Sequence, residues 1–499
     1  MKKLIFTFLT LLIALSGAKG QDDKNTIVAG TSKITGKITS GDLTNKDNIT
    51  VNITISQPIS GEYVKYKTVV DQSGKFSFEV DVETDISLIG LYTSVNPEKS
   101  LLTKLTNGGV TNIDVSYGSD HQIKTINVTP AMSKHEMTRG LQVIGEMIEY
   151  RPNRAPTPLY DKSTDYFLNY AKTVIEERFV MVDNDPFFSE ELKHLLRKDF
   201  RLLMYIGHVF DYEGEMKRNF RNTNDDSTTE PVIQKIDKSY FRFLKDFNLN
   251  DPRYLQCFTF SEFQKEILQN ENLKLPEIGE SEIPTWLASV KLILADLVGF
   301  DDGPYYAILA ANAYARQLNE ELKPLTENQK IHIAKYWGNG EIAKILFRKN
   351  QKVIELSQLK SPVVVNDIAS VADDKVIETI LEKYKGKAIF VDLWATWCAP
   401  CLDAMQEFRS TKNEFRDKNV AFVYLTNASS PRKLWEEKIK GIGGEHYYLT
   451  DSQWYHVMDK FGFEAIPSYL LFNKEGVIIN KFTAFPGSEK VKDMIKDLL

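Results

Sequence analysis

From about Gln21 to Pro130 the hydrophobic positions recur every second residue. Ile49, Val51, Ile53 and Ile55 alternate with Thr and Asn, the period of a strand with one buried face. Tyr63 to Val70 is rich in β-formers, Asp71-Gln72-Ser73-Gly74 carries turn chemistry, and Phe76, Phe78 and Val80 resume the alternation. That order predicts a hairpin with one buried face. Short strands at Ile113–Tyr117 and Ile123–Val128 complete an expected β-sandwich over residues 21–130.

The period changes near Ala131. Leu192, Leu195, Leu196, Phe200, Leu203 and Met204 fall at helical spacing, as do Phe167, Tyr170, Val174 and Ile175. Ile283-Pro284 opens another helix through Leu287, Val290, Leu292, Ile293, Leu294 and Leu297, and Asn222–Glu230 has loop composition. An all-α domain is expected over 131–350. Tyr305, Tyr306, Tyr314 and Trp337 could line a groove, but aromatics at helical spacing are more often core. Beyond Ser361-Pro362, strands and helices alternate over 355–499. Ala388–Trp394 is a continuous apolar run broken by one acid, the mark of a central buried strand. A helix is expected from Cys398, bearing Leu402, Met405, Phe408 and Phe415. Then come a strand at Val420–Leu425, a hairpin through Tyr469–Phe472 and Val477–Ile479, and a closing helix from Val491. The whole reads as multidomain, with an N-terminal β-sandwich, a central all-α domain and a C-terminal α/β fold. The 499-residue length suits several cores.

Residues 1–20 break the pattern. Lys2 and Lys3 precede an apolar stretch from Leu4 to Leu15, and Ala18-Lys19-Gly20 supplies small residues at cleavage spacing. This reads as a secretory signal peptide, since the run is too short to span a bilayer comfortably. No Cys lies near the cleavage site, so no lipoprotein anchor is expected, and the expected location is the periplasm. The net charge of −6 comes without a basic block. Nucleic acid is therefore not an expected partner, because phosphate binding needs clustered cations.

The chain holds three cysteines, Cys257, Cys398 and Cys401. Cys257, beside Phe258 and Phe260, reads as a small buried hydrophobe. Trp397-Cys398-Ala399-Pro400-Cys401 stands where a strand hands over to a helix. Unpaired N–H groups and the dipole at a helix N-terminus stabilise a thiolate on Cys398. Cys401, three residues on, can then resolve a mixed disulfide, and the spacing is that of a reversible intramolecular disulfide. Pro400 in the first turn costs no hydrogen bond. Asp392, an acid in an apolar strand, is expected to be desolvated and to accept a proton from Cys401; the alternative is an acid that reaches solvent at the strand end.

The run from Val391 to Cys401 resembles the thioredoxin active-site segment, and most closely its exported TlpA/ResA-like branch in the multidomain form of Bacteroidetes-type bacteria. The resemblance covers roughly Pro362–Leu499 and extends to Glu464-Ala465-Ile466-Pro467-Ser468-Tyr469. It implies a thioredoxin-like fold and a thiol–disulfide oxidoreductase of the protein-disulfide reductase type, with no cofactor. By the same resemblance Pro467 is cis and faces the disulfide, and the Ile466 backbone pairs with a substrate strand. Trp397, Pro400 and Pro467 shape the contact surface. Disulfide-containing exported proteins are the implied substrates, and a membrane thiol transporter the implied electron donor. Leu434–Leu449 resembles the insertion of this branch. The chain departs from the pattern where Tyr424 stands in place of the thioredoxin Lys beside the buried acid, and where Gln406 replaces the helix-kinking Pro.

Other uses of Cys-x-x-Cys fit less well. Haem attachment needs His after the second Cys, and Leu402 stands there. Structural zinc needs a second ligand pair, and His446 and His456 are isolated. Copper delivery lacks a neighbouring Met or His. A staple across three residues closes too small a loop to stabilise much. An oxidase or isomerase of the same fold, or a periplasmic binding protein that keeps the fold as scaffold, are the remaining alternatives.

Overall fold

The computed structural model describes residues 26–40, 49–224 and 230–499. The signal-peptide reading over 1–20 lies outside the described residues, as does most of the loop read at 222–230. Eight strands build the N-terminal unit: β1 (Ile27–Ser40), β2 (Thr50–Gln57), β3 (Glu62–Val69), β4 (Lys75–Thr84), β5 (Ile86–Thr93), β6 (Asn96–Thr106), β7 (Val110–Tyr117) and β8 (Ile123–Thr129). They form two four-stranded sheets, ordered β4-β1-β7-β8 and β3-β2-β5-β6. Val51, Ile53 and Ile55 from one sheet meet Phe76, Phe78 and Val80 from the other in one core, as the period of two requires.

The expected hairpin over Tyr63–Val80 is not one. The Asp71–Gly74 turn forms, with Gly74 N–H donating to Asp71 C=O at 2.8 Å, but it carries the chain between sheets. β3 pairs with β2 and β4 with β1. Val64 and Tyr66 therefore enter the core from the side opposite Phe76 and Phe78. A hairpin would have put all four on one sheet.

Among the described residues nine α-helices follow: α1 (Lys134–Glu149), α2 (Thr164–Asp183), α3 (Glu190–Met204), α4 (Tyr212–Thr223), α5 (Phe260–Gln269), α6 (Ile283–Val298), α7 (Pro304–Glu320), α8 (Glu327–Trp337) and α9 (Glu341–Ser357). Their starts are written locally: Ser133, Ser163 and Ser189 cap α1, α2 and α3, and Pro enters the first turn of α6 and α7. Tyr305, Tyr306 and Tyr314 are buried in the core and Trp337 packs against it, although Tyr305 also lines a cavity with Leu249, Asn250 and Pro304. Cys257 is buried in the same core, and burial pushes its thiol well up. The helices do not form a separate globule. Ile59, Leu88 and Leu102 of the sandwich belong to the helical core, and Asn312 on α7 donates to the carbonyls of Pro58 and Ile59 at 2.9 Å.

The C-terminal unit comprises β9 (Val363–Asn366), α10 (Val376–Lys383), β10 (Ala388–Leu393), α11 (Ala399–Asn413), β11 (Val420–Thr426), α12 (Arg432–Ile442), β12 (Gly444–Tyr448), α13 (Asp451–Phe461), β13 (Ser468–Phe472), β14 (Ile478–Thr483) and α14 (Ser488–Lys496). Its six-stranded sheet runs β14-β13-β10-β11-β12-β9. β10, β11, β12 and β9 are mutually parallel, β13 runs antiparallel to β10, and β14 runs antiparallel to β13. β10 is buried at every residue, as a central strand covered on both faces must be. The insertion read at Leu434–Leu449 is α12 with β12. With Gln406 in place of the helix-kinking Pro, α11 runs unbroken from Ala399 to Asn413. Among the described residues no helix is long and apolar enough to cross a membrane.

Candidate redox site

Cys398 and Cys401 form a disulfide at the start of α11, with Cα atoms 5.3 Å apart. Cys398 is the N-cap residue, and its sulfur accepts a hydrogen bond from the Cys401 N–H at 3.2 Å. A sulfur in that position sits on the positive end of the helix, where a thiolate is favoured. Cys398 is 4% exposed and Cys401 is fully buried, so the outer sulfur meets a partner first. Pro400 occupies the first helical turn and is exposed.

Trp397 stands out from this surface at 63% exposure, its indole N–H donating to Ser429 Oγ at 3.3 Å. The loop after β11 braces the approach to the cysteines. Ser430 Oγ accepts from the Thr396 N–H at 3.0 Å, and Tyr448 OH donates to the Ser430 carbonyl at 2.6 Å. On the other side the Ile466–Pro467 peptide is cis. Ile466 packs against the cluster that contains both cysteines, and Pro467 is buried next to the end of β10, where Ser468 pairs with Leu393.

Beneath the disulfide lies a row of polar side chains. Asp392 on β10 is opposite Tyr469 on β13 and Tyr424 on β11, and Tyr424 is opposite His446 on β12. Residues paired across strands share a face, so these four line up under α11 and α12. All are buried: Asp392 is 3% exposed, which excludes the strand-end acid reaching solvent. Its Oδ1 has no hydrogen-bond partner among the described residues, and burial raises its carboxyl well above the usual range. His446 stacks on Tyr424 with ring centroids 4.9 Å apart, and burial pushes its imidazole down to about 3. His456 is exposed on α13, away from this row.

The sequence reading missed Lys412. Late in α11, it is 5% exposed. Its ammonium donates to Tyr424 OH at 3.2 Å and to the carbonyls of Ile442 and Gly443 at 2.5 and 3.3 Å. Three acceptors match the three N–H bonds of an ammonium. Burial acts the other way, pushing the amine down to about 7. The charge on Lys412 draws the Asp392 carboxyl down against its desolvation. A cation thus stands near the buried acid, supplied by the redox helix and not by the strand where Tyr424 sits. Three acceptors, 12, 30 and 31 residues further along the chain, hold it there, a pattern no local signal could reveal.

Residues 348–498 match the Redoxin family model. The thiol-disulfide oxidoreductase ResA of Halalkalibacterium halodurans is 24% identical over 116 residues, 23% of this chain and 65% of that protein. ResA of Bacillus thuringiensis subsp. konkukian is 24% identical over 152 residues, 30% of this chain and 83% of its own length. The chain thus spans just under two thirds of the first of these relatives. Among solved structures, a thiol-disulfide oxidoreductase from Bacteroides vulgatus is 27% identical, covering 24% of this chain and 83% of that one, with a TM-score of 0.21. StoA from Bacillus subtilis is 23% identical and covers 22% and 82%, with a TM-score of 0.19.

Proposed function

We propose, starting from a C-terminal region that is a TlpA/ResA-like domain of the thioredoxin superfamily, that this chain is an exported thiol–disulfide oxidoreductase working as a protein-disulfide reductase. The observation that carries the reading is the Cys398–Cys401 disulfide at the N-terminus of α11, the helix whose Lys412 bears on the buried Asp392.

In the reduced protein the Cys398 thiolate attacks one sulfur of a target disulfide. A mixed disulfide forms, and the other target sulfur leaves as thiolate. Cys401 then gives its proton to Asp392 and attacks the Cys398 sulfur. The internal disulfide closes, the second target thiol is released, and two electrons have passed to the target. A dithiol donor must reopen the pair; the family resemblance supports a membrane thiol transporter in that role. Ile466, packed against the disulfide cluster, and the adjoining cis Pro467 would receive the target backbone, and Trp397 and Pro400 would bear on its side chains.

Trp397 offers a specific check. Trp397→Ala is expected to slow exchange with a protein disulfide about tenfold or more, as loss of an aromatic anchor does. Exchange with glutathione should stay close to wild type, and stability should move by no more than about 0.5 kcal/mol, because the indole is largely exposed. Parallel rate and thermal-unfolding measurements separate these effects. Direction is tested by equilibrating the full chain with glutathione. A potential near or below the about −270 mV of thioredoxin supports a reductase. A potential near about −120 mV would make the pair a thiol oxidant instead.

A further inference from the structure

The helical region is joined to the redox unit through α12, and α12 uses both of its faces. On one, Trp435 and Ile439 pack in the cluster that contains Cys398, Cys401 and Tyr424. On the other, Lys438 donates to Glu320 on α7 at 2.5 Å, and Lys265 on α5 reaches the same carboxylate at 3.0 Å. Glu437 pairs with Arg316 on α7. These side chains are largely buried, and the two cations hold the Glu320 carboxyl far below its usual range. Gly441 sits so close that a Cβ there would lie 2.4 Å from the Glu320 carbonyl oxygen. The C-terminal end of the same helix supplies the Ile442 and Gly443 carbonyls that hold Lys412.

We propose that Arg316 and Glu320, in the helical region, are positioning residues for the redox centre: through α12 they fix the carbonyls that hold Lys412, and so the cation that faces Asp392. The inference rests on reading Cys398, Cys401 and Asp392 as the exchange site, and it gives the preceding helices a part in that chemistry. The groups that face Lys412 and Asp392 are Tyr469 from β13, Tyr424 from β11, His446 from β12 and Arg409 from α11 itself. Asp392 is the only carboxylate in this group, and Lys412 is the cation whose charge bears on it. If α12 withdraws, Lys412 loses two of its three acceptors, and its hold on the Asp392 carboxylate weakens.

The test uses the full chain in its reduced form. The rate at which oxidised glutathione closes the Cys398–Cys401 disulfide is followed across acid to alkaline pH. Lys412→Met is expected to move the midpoint of this profile to higher pH by about one unit, the scale of losing a nearby opposite charge. Gly441→Ala wedges α12 off α7 while favouring helix within α12 itself. Glu437→Arg sets like charges against Arg316. Both are expected to shift the midpoint in the same direction, and Glu437→Arg combined with Arg316→Glu is expected to restore it. Should Gly441→Ala lose its circular dichroism, the charge-reversal pair decides alone. Folded Gly441→Ala and Glu437→Arg with the wild-type profile, beside a shifted Lys412→Met, would overturn the inference and leave the exchange site standing. An unshifted Lys412→Met would also overturn it. A wild-type pair that glutathione cannot close would bring down the functional reading itself.

Discussion

Replacing Cys398 by Ser is expected to reduce disulfide-reductase turnover on the order of a thousandfold or more, to the level of the free reductant. The sulfur at the N-cap of α11 is the only one of the pair that meets solvent, and a hydroxyl there remains protonated and does not exchange with disulfides. Cys401→Ser separates the two roles. Attack by Cys398 survives, but nothing resolves the product, so a mixed disulfide with the target accumulates. Non-reducing electrophoresis with mass spectrometry detects it. Stable adducts from Cys401→Ser and none from Cys398→Ser are expected. Adducts on Cys401 instead would reverse the assignment. Folding should survive both changes, since a three-residue loop adds little to stability.

Asp392→Asn is expected to slow closure of the internal disulfide by about a hundredfold or more, the usual worth of a positioned proton acceptor. Attack on the target should be nearly unaffected, because it does not require Cys401 to lose a proton. The same substitution carries a stability signature of definite sign. The buried carboxyl has a folded-state pKa well above its unfolded value of about 3.9. Between those two values the folded chain binds the extra proton, so stability is greatest below the unfolded value and is lost as pH rises through the folded one. Asp392→Asn has no such loss. It should exceed wild type by more than about 1 kcal/mol at about pH 8, with the gap closing toward about pH 4. Denaturant unfolding at both pH values measures it. A variant less stable than wild type at the alkaline end would mean that the carboxylate is favourably paired in the fold.

Apart from the Tyr63–Val80 hairpin, sequence and structure coincide where a local period or a local motif carried the information. The alternation from Ile49 to Ile55 became β2 with its odd-numbered side chains inside. The apolar run at Ala388–Leu393 became the central strand β10, and the Cys-Ala-Pro-Cys segment became the cap of α11. Pro467, some seventy residues from the cysteines, was traceable because its cis peptide is tied to one short motif. β5 and β6 were not traced. Helices cover the face that the sandwich core leaves, so Ser87–Leu91 is buried without a break and shows no alternation. The Asp71–Gly74 turn reads the same whether it joins neighbours or crosses between sheets. Lys412 was hidden because its burial depends on carbonyls at the far end of α12. The ion pairs of Arg316 and Glu320 depend likewise on residues more than a hundred positions away.

The exchange chemistry assigned to Cys398 and Cys401 is tested most directly by insulin-disulfide reduction with the full chain and a dithiol reductant. Catalysed precipitation of the insulin B chain, well above the reductant alone and lost in Cys398→Ser, is the expected result. A folded wild-type protein with an intact Cys398–Cys401 pair that does not accelerate the reaction would contradict the assignment.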